Sequence, residues 1–63
     1  MAKLLKKYET DTDFTICVSE SKAGYYYVTT YDHVSREHSD ATRFSGYADA
    51  IVAAKRRADG YKI

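Results

Sequence analysis

The stretch Phe14-Thr15-Ile16-Cys17-Val18-Ser19-Glu20-Ser21-Lys22-Ala23-Gly24-Tyr25-Tyr26-Tyr27-Val28-Thr29-Thr30-Tyr31-Asp32 decides the architecture. From Phe14 to Ser19 large apolar residues alternate with small or polar ones, the period-two pattern of a half-buried strand. Phe14, Ile16 and Val18 therefore share one face. The polar run Glu20 to Ala23 ends on Gly24, which can take a positive φ, and Tyr25 to Asp32 is dense in aromatic and β-branched residues. The segment reads as a β-hairpin. On its second strand Tyr25, Tyr27, Thr29 and Tyr31 fall on one face, and Tyr26, Val28 and Thr30 on the other.

Downstream, His33-Val34-Ser35-Arg36-Glu37-His38 is polar and turn-like, and Ser39 to Phe44 can return as a third, weaker strand beside the second. Ser45 is a suitable N-cap for a helix starting at Gly46. Asp49 then lies in the first turn, where a carboxylate meets the positive end of the helix dipole. Tyr47, Ala50, Ile51, Ala54 and Ala58 recur at helical spacing as one apolar stripe, while Lys55, Arg56 and Arg57 occupy the last turns before Gly60 ends the helix. Upstream, residues 1–11 either fray or supply an extra edge strand through the alternation Leu4, Lys6, Tyr8, and the tail Tyr61-Lys62-Ile63 can add a short extension. The predicted fold class is α+β. It is a β-β-β-α unit in which an antiparallel sheet of three strands, four if Leu4 to Tyr8 joins, is covered on one face by a C-terminal helix. The most apolar filling sets Phe14, Ile16, Val18, Tyr26 and Val28 against Tyr47, Ile51 and Ala54. Tyr25, Tyr27 and Tyr31 are thereby left on the uncovered face.

With 63 residues the chain is expected to form a single domain, and a chain of this size buries only about 60% of its unfolded surface, too little for a deep catalytic cleft. Ten basic and nine acidic side chains give a net charge of +1, which withholds the basic excess of a typical nucleic-acid binder. A single cysteine, Cys17, cannot close an intrachain disulfide and points to a reducing, cytoplasmic setting. The basic start Lys3 to Lys7 has no apolar region behind it, and no apolar run approaches the ~18 residues of a membrane span. No membrane association is expected.

Seven tyrosines in so short a chain are the main functional signal, because tyrosine pairs a large apolar body with a polar tip and is enriched at interface anchors. The plainer explanation is that tyrosine suits strands and that some rings cap the core or pack against Leu4, Leu5 or Tyr61. As a binding face, Tyr25, Tyr27 and Tyr31 would be the anchors, with Asp32, His33, Arg36, Glu37 and Arg43 as a charged rim. Lys55, Arg56 and Arg57 at the helix C-terminus are explained by the dipole alone, and the sheet strands carry few basic residues, mainly Arg43 and Arg36. Nucleic acid is the disfavoured partner.

His33, His38, Asp32, Glu37 and Asp40 cluster near the second turn without a recognised zinc spacing, so a solvated loop is the better reading and no metal or cofactor is expected. Asp11-Thr12-Asp13 lacks the glycine and distal glutamate of a calcium loop. No phosphate loop, nucleophile elbow or metal-binding helix motif is present, and nothing around Cys17 signals the electropositive setting of a reactive thiol. The expectation is a non-enzyme.

Gly24-Tyr25-Tyr26-Tyr27 with Asp32, followed by Phe44 and a helix from Tyr47 to Gly60 carrying Asp49-Ala50-Ile51, resembles the arm-binding domains of phage integrases over roughly Phe14 to Gly60. In that family a three-stranded sheet enters the major groove and basic side chains hold the flanking phosphates. The resemblance implies DNA binding, for which the candidate contacts here are Arg36, Arg43, Lys55, Arg56 and Arg57. The pattern is also similar to the partial double-stranded-RNA-binding-like fold of small antitoxins, and to compact phage proteins that dock on a host enzyme or defence complex and inhibit it. The leading expectation is a small phage or mobile-element type regulator or inhibitor. It would act without catalysis, docking on a larger protein or protein complex and occluding its surface, and the same face could pair two copies. Sheet-mediated DNA binding is the alternative.

Overall fold

The computed structural model describes residues 3–61 and contains β1 (Lys3–Glu9), β2 (Phe14–Glu20), β3 (Tyr26–Asp32), β4 (Glu37–Phe44) and α1 (Tyr47–Gly60). The four strands form one antiparallel sheet in the order β1-β2-β3-β4, so each strand pairs only with its neighbour in the chain. The fold is α+β, and Lys3–Glu9 is the extra edge strand. The extension considered for Lys62 and Ile63 lies outside the described residues.

The central hairpin follows the alternation of its sequence. Ile16 pairs with Thr30 and Val18 with Val28 on the helix side, whereas Thr15 pairs with Tyr31, Cys17 with Thr29 and Ser19 with Tyr27 on the other. Gly24 closes the turn with φ 87°, its N–H donating to Ser21 O at 3.1 Å while Ser21 N–H donates to Tyr25 O at 2.8 Å. Threonines tie the β1–β2 turn: Thr10 Oγ1 donates to Phe14 O at 2.6 Å, and Thr12 Oγ1 accepts from Phe14 N–H at 3.2 Å.

The core is formed by Ile16, Val18 and Val28 of the sheet against Ala50, Ala54 and Ala58 of α1, all buried. Alanine at every fourth position gives the helix a flat stripe, so its axis can approach the sheet closely. Tyr8, Tyr26, Phe44, Ile51 and Tyr61 close the margins of this core. The Tyr26 ring meets the edge of Tyr47 at 5.6 Å between centroids, and Phe14 meets Tyr61 at 5.1 Å.

Three boundaries differ from the sequence reading. The helix is capped by Gly46, in an extended conformation and without a side-chain cap, rather than by Ser45, and the first helical residue is Tyr47. Gly60 is the last helical residue and Tyr61, in a right-handed conformation, is the C-cap, so no left-handed glycine ends the helix. The last strand begins at Glu37 instead of Ser39, because pairing of Asp32 with Glu37 and Tyr31 with His38 extends it where no apolar periodicity marks it. Tyr47, placed in the core from its spacing, is 44% exposed and meets the ring of Tyr26 at the margin of the core.

Candidate functional site

Helix α1 covers one face of the sheet, and on the other both outer strands are bulged. In β1 the register shifts between Leu4 and Lys6, and in β4 it shifts opposite Val28 and Thr30. A bulge adds one residue to a strand, bends it and raises its twist. It also changes which residues share a face. His38 and Arg43 are five apart and would point to opposite faces of a regular strand, but here they pair with Tyr31 and Tyr27 and so lie on the open face together. Likewise Leu4 and Lys7 both fall on that face, paired with Ser19 and Cys17.

Asp40 supplies the β4 bulge with a φ of 53°, a left-handed conformation that aspartate tolerates better than most residues. The guanidinium of Arg57 reaches from the helix into this bulge. Its Nη1 donates to Asp40 O at 2.9 Å, with longer contacts to Val28 O at 3.3 Å and Thr30 Oγ1 at 3.4 Å, and its Nη2 donates to Thr42 Oγ1 at 3.0 Å. These acceptors are carbonyls and hydroxyls that the planar fork of an arginine can span at once.

Between the bent outer strands lies an open groove of about 470 Å³. Thr15, Cys17 and Thr29 form its floor, Leu4, Lys7 and Glu9 line the β1 side, and Tyr31, His33 and His38 line the opposite end. The aromatic end is a row. The Tyr31 ring packs against both His33, at 4.9 Å and nearly perpendicular, and His38, at 4.8 Å and tilted. Each imidazole is tied to a threonine hydroxyl, His33 Nε2 to Thr15 Oγ1 at 2.6 Å and His38 Nδ1 to Thr29 Oγ1 at 3.1 Å. The backbone helps to place His33, whose N–H donates to Asp13 O at 2.9 Å.

The predicted site residues separate into three groups. Tyr27 and Tyr31 lie on the open face, Tyr25 sits at its end beneath Arg43, whose guanidinium carbon is 4.7 Å from the ring centroid, and His33, an exposed residue of the β3–β4 turn, also lines the groove. Asp32, Arg36 and Glu37 build the β3–β4 turn: Asp32 Oδ1 accepts from Val34 N–H at 2.9 Å, Asp32 O accepts from Arg36 N–H at 2.7 Å, and Arg36 takes a left-handed φ of 61°. Of the basic helix residues proposed for nucleic acid, Arg57 is committed to the bulge, whereas Lys55 and Arg56 are exposed. Among the described residues no three His, Cys, Asp or Glu side chains gather to hold a metal ion, so the cluster near the second turn does not converge.

Sequence reasoning missed Thr15, Cys17, Thr29, Lys7 and His38 as parts of the groove. The parity of β2 and β3 already placed Thr15, Cys17 and Thr29 with the tyrosines; Lys7 and His38 depend on register, and no apolar repeat signals it. Cys17 is 6% exposed, and burial pushes its thiol above the ordinary value, with nearby Lys7 offsetting part of the effect. The folded thiol thus keeps a proton that the unfolded chain gives up. Its contribution to stability is fully present below the ordinary thiol value of 9.0 and is lost as pH rises through the folded value. Urea midpoints should fall in this alkaline range for the native sequence and fall less for Cys17→Ala; parallel curves would show that another group governs the decline.

The chain matches no family model, no curated protein and no solved structure. No helix among the described residues is long and apolar enough to cross a membrane.

Proposed function

We propose that this chain is a non-catalytic binding module that docks its open sheet face on a larger protein or protein complex and occludes the surface it covers. The supporting observation is the uncovered face itself, an open groove with Tyr31, His33 and His38 at one end, and Leu4 and Tyr27 in one cross-strand row at the other end of the face. The molecule measures 33 × 22 × 16 Å, so its broad side is of the order of the ~800 Å² per partner that a specific interface needs.

Docking through a sheet edge is the less suitable mode. The β1 edge carries Lys3, Lys6 and Lys7 and a bulge, and the β4 edge is interrupted at Asp40, features that discourage strand addition. Catalysis is also poorly supported, since Cys17 is buried with its thiol held in the protonated form, and each histidine is bound to a threonine. This reading accords with the small phage-type regulators and inhibitors that the sequence resembles. DNA binding is disfavoured because Arg57 is occupied, which leaves Arg43 on the open face and Lys55 and Arg56 exposed on the helix.

The test is a tagged capture from bacterial lysate with nuclease and high salt, comparing the native sequence with Tyr27→Ala and Tyr31→Ala. Recovery of the partner should fall at least about tenfold for one of these variants while circular dichroism stays native. Equal recovery by folded variants would move the interface elsewhere, and loss of capture on nuclease treatment would favour the DNA reading.

A further inference from the structure

We propose that the open face receives an acidic polypeptide segment of the partner, held between Lys7 and the His33-Tyr31-His38 row and held more tightly as the two imidazoles take up protons. The inference rests on the docking reading above and adds the chemistry of the occupant. By register Lys7, Arg43 and Glu9 belong to the open face and Asp40 stands in the β4 bulge opposite Thr29, whereas Lys3, Lys6, Glu20, Asp32 and Glu37 have the opposite parity. With both histidines charged, the two imidazolium groups, Lys7 and Arg43 would outnumber the carboxylates of Glu9 and Asp40.

The hydrogen bonds of the row are compatible with either charge state of its imidazoles. Histidine is the side chain that ordinarily changes charge between pH 5 and 8. A hydroxyl can either donate or accept, so Thr15 and Thr29 can keep their hydrogen bonds to His33 and His38 in both charge states. In either state the second ring nitrogen of each imidazole remains to meet a ligand. The ionisable groups around the row are Lys7 and Glu9 from β1, Asp13 before β2, Cys17 from β2, Asp32 from β3, Arg36 from the turn, and Glu37 and Asp40 from β4. Lys7 and Arg36 add to the attraction for carboxylates, and the five carboxylates oppose it.

Polypeptide suits the face better than nucleic acid, whose backbone demands several fixed cations in line. Among the described strand residues Lys7 and Arg43 stand there, well apart: Lys7 pairs with Cys17 in the middle of the face, and Arg43 lies over Tyr25 at its end.

The experiment is a titration of the isotope-labelled full chain, followed by amide NMR, with a hexaglutamate peptide, a hexalysine peptide and a short DNA duplex, each at about pH 5.5 and about pH 8. Hexaglutamate is expected to shift the amides of Lys7, Thr15, Thr29, Tyr31 and His38, and to bind about three- to tenfold more tightly at the lower pH. His33→Gln with His38→Gln should abolish that difference while the spectrum stays folded. Failure of hexaglutamate to bind, binding on the helix face at Lys55 and Arg56, or affinity indifferent to pH would overturn the inference. Shifts of the open face by hexalysine or duplex instead would also overturn it while leaving the face as the docking surface. The docking reading itself fails only on the separate evidence of Tyr27→Ala and Tyr31→Ala retaining the partner.

Discussion

Replacing Arg57 with alanine is expected to lower the unfolding free energy by about 2–4 kcal/mol, since it removes a charged donor from two carbonyls and two hydroxyls at once. Val28 and Thr30 are buried, so water cannot readily replace the guanidinium at these positions. Arg57→Lys keeps the charge but not the planar fork and should recover only part of the loss. The specific signature is local: amide shifts of Asp40, Ala41 and Thr42 should change more than those of the β1–β2 turn. Urea unfolding read by circular dichroism gives the magnitude. A loss below about 0.5 kcal/mol, ordinary for a surface substitution, would show that the bulge holds without its plug.

The second large effect is expected for Ile16→Ala. Ile16 is fully buried between the alanine stripe of α1 and its neighbours Val18 and Val28, and truncating such a side chain costs about 2–5 kcal/mol in transfer and cavity terms. A core of this size rarely supplies more than about 3–5 kcal/mol in total. The variant should therefore be largely unfolded at room temperature, with loss of helical circular dichroism and of the cooperative urea transition. A well-folded Ile16→Ala with an unchanged midpoint would mean that stability resides elsewhere, for instance in the aromatic margins at Tyr8, Tyr26 and Tyr61.

The central hairpin and the helix were legible because their signals are strong and local. Phe14 to Ser19 alternates without interruption, Gly24 does take the positive φ that its place in the loop suggested, and Ala50, Ala54 and Ala58 recur at one turn's spacing. The parity of β3 was readable for the same reason, and with it the separation of Tyr27 and Tyr31 from Val28. β4 was harder. It is exposed along nearly its whole length and is held by pairing rather than by burial, so it leaves no apolar period. Its bulge depends on Asp40 taking a left-handed conformation without glycine, and on an arginine seventeen residues further along the chain. The same limitation hid the groove. Its curvature and the placing of Lys7 and His38 come from two register shifts, which are properties of strand pairs rather than of either strand alone. At the helix start, Ser45 and Gly46 both suit an N-cap by residue type, and the backbone uses the second.

The order of strands also bears on how quickly the molecule can assemble. Because every strand pairs with its neighbour in the chain through a short turn, no pairing must wait for a distant segment to diffuse back, and the entropy lost in closing each loop is small. The helix docks last in chain order, onto Ile16, Val18 and Val28. A meander of this kind belongs at the fast end for sheet proteins, well ahead of folds whose strands cross over. With little time spent as a partly paired sheet, the tyrosine-rich strand has little opportunity to pair wrongly with another chain before its own neighbours enclose it.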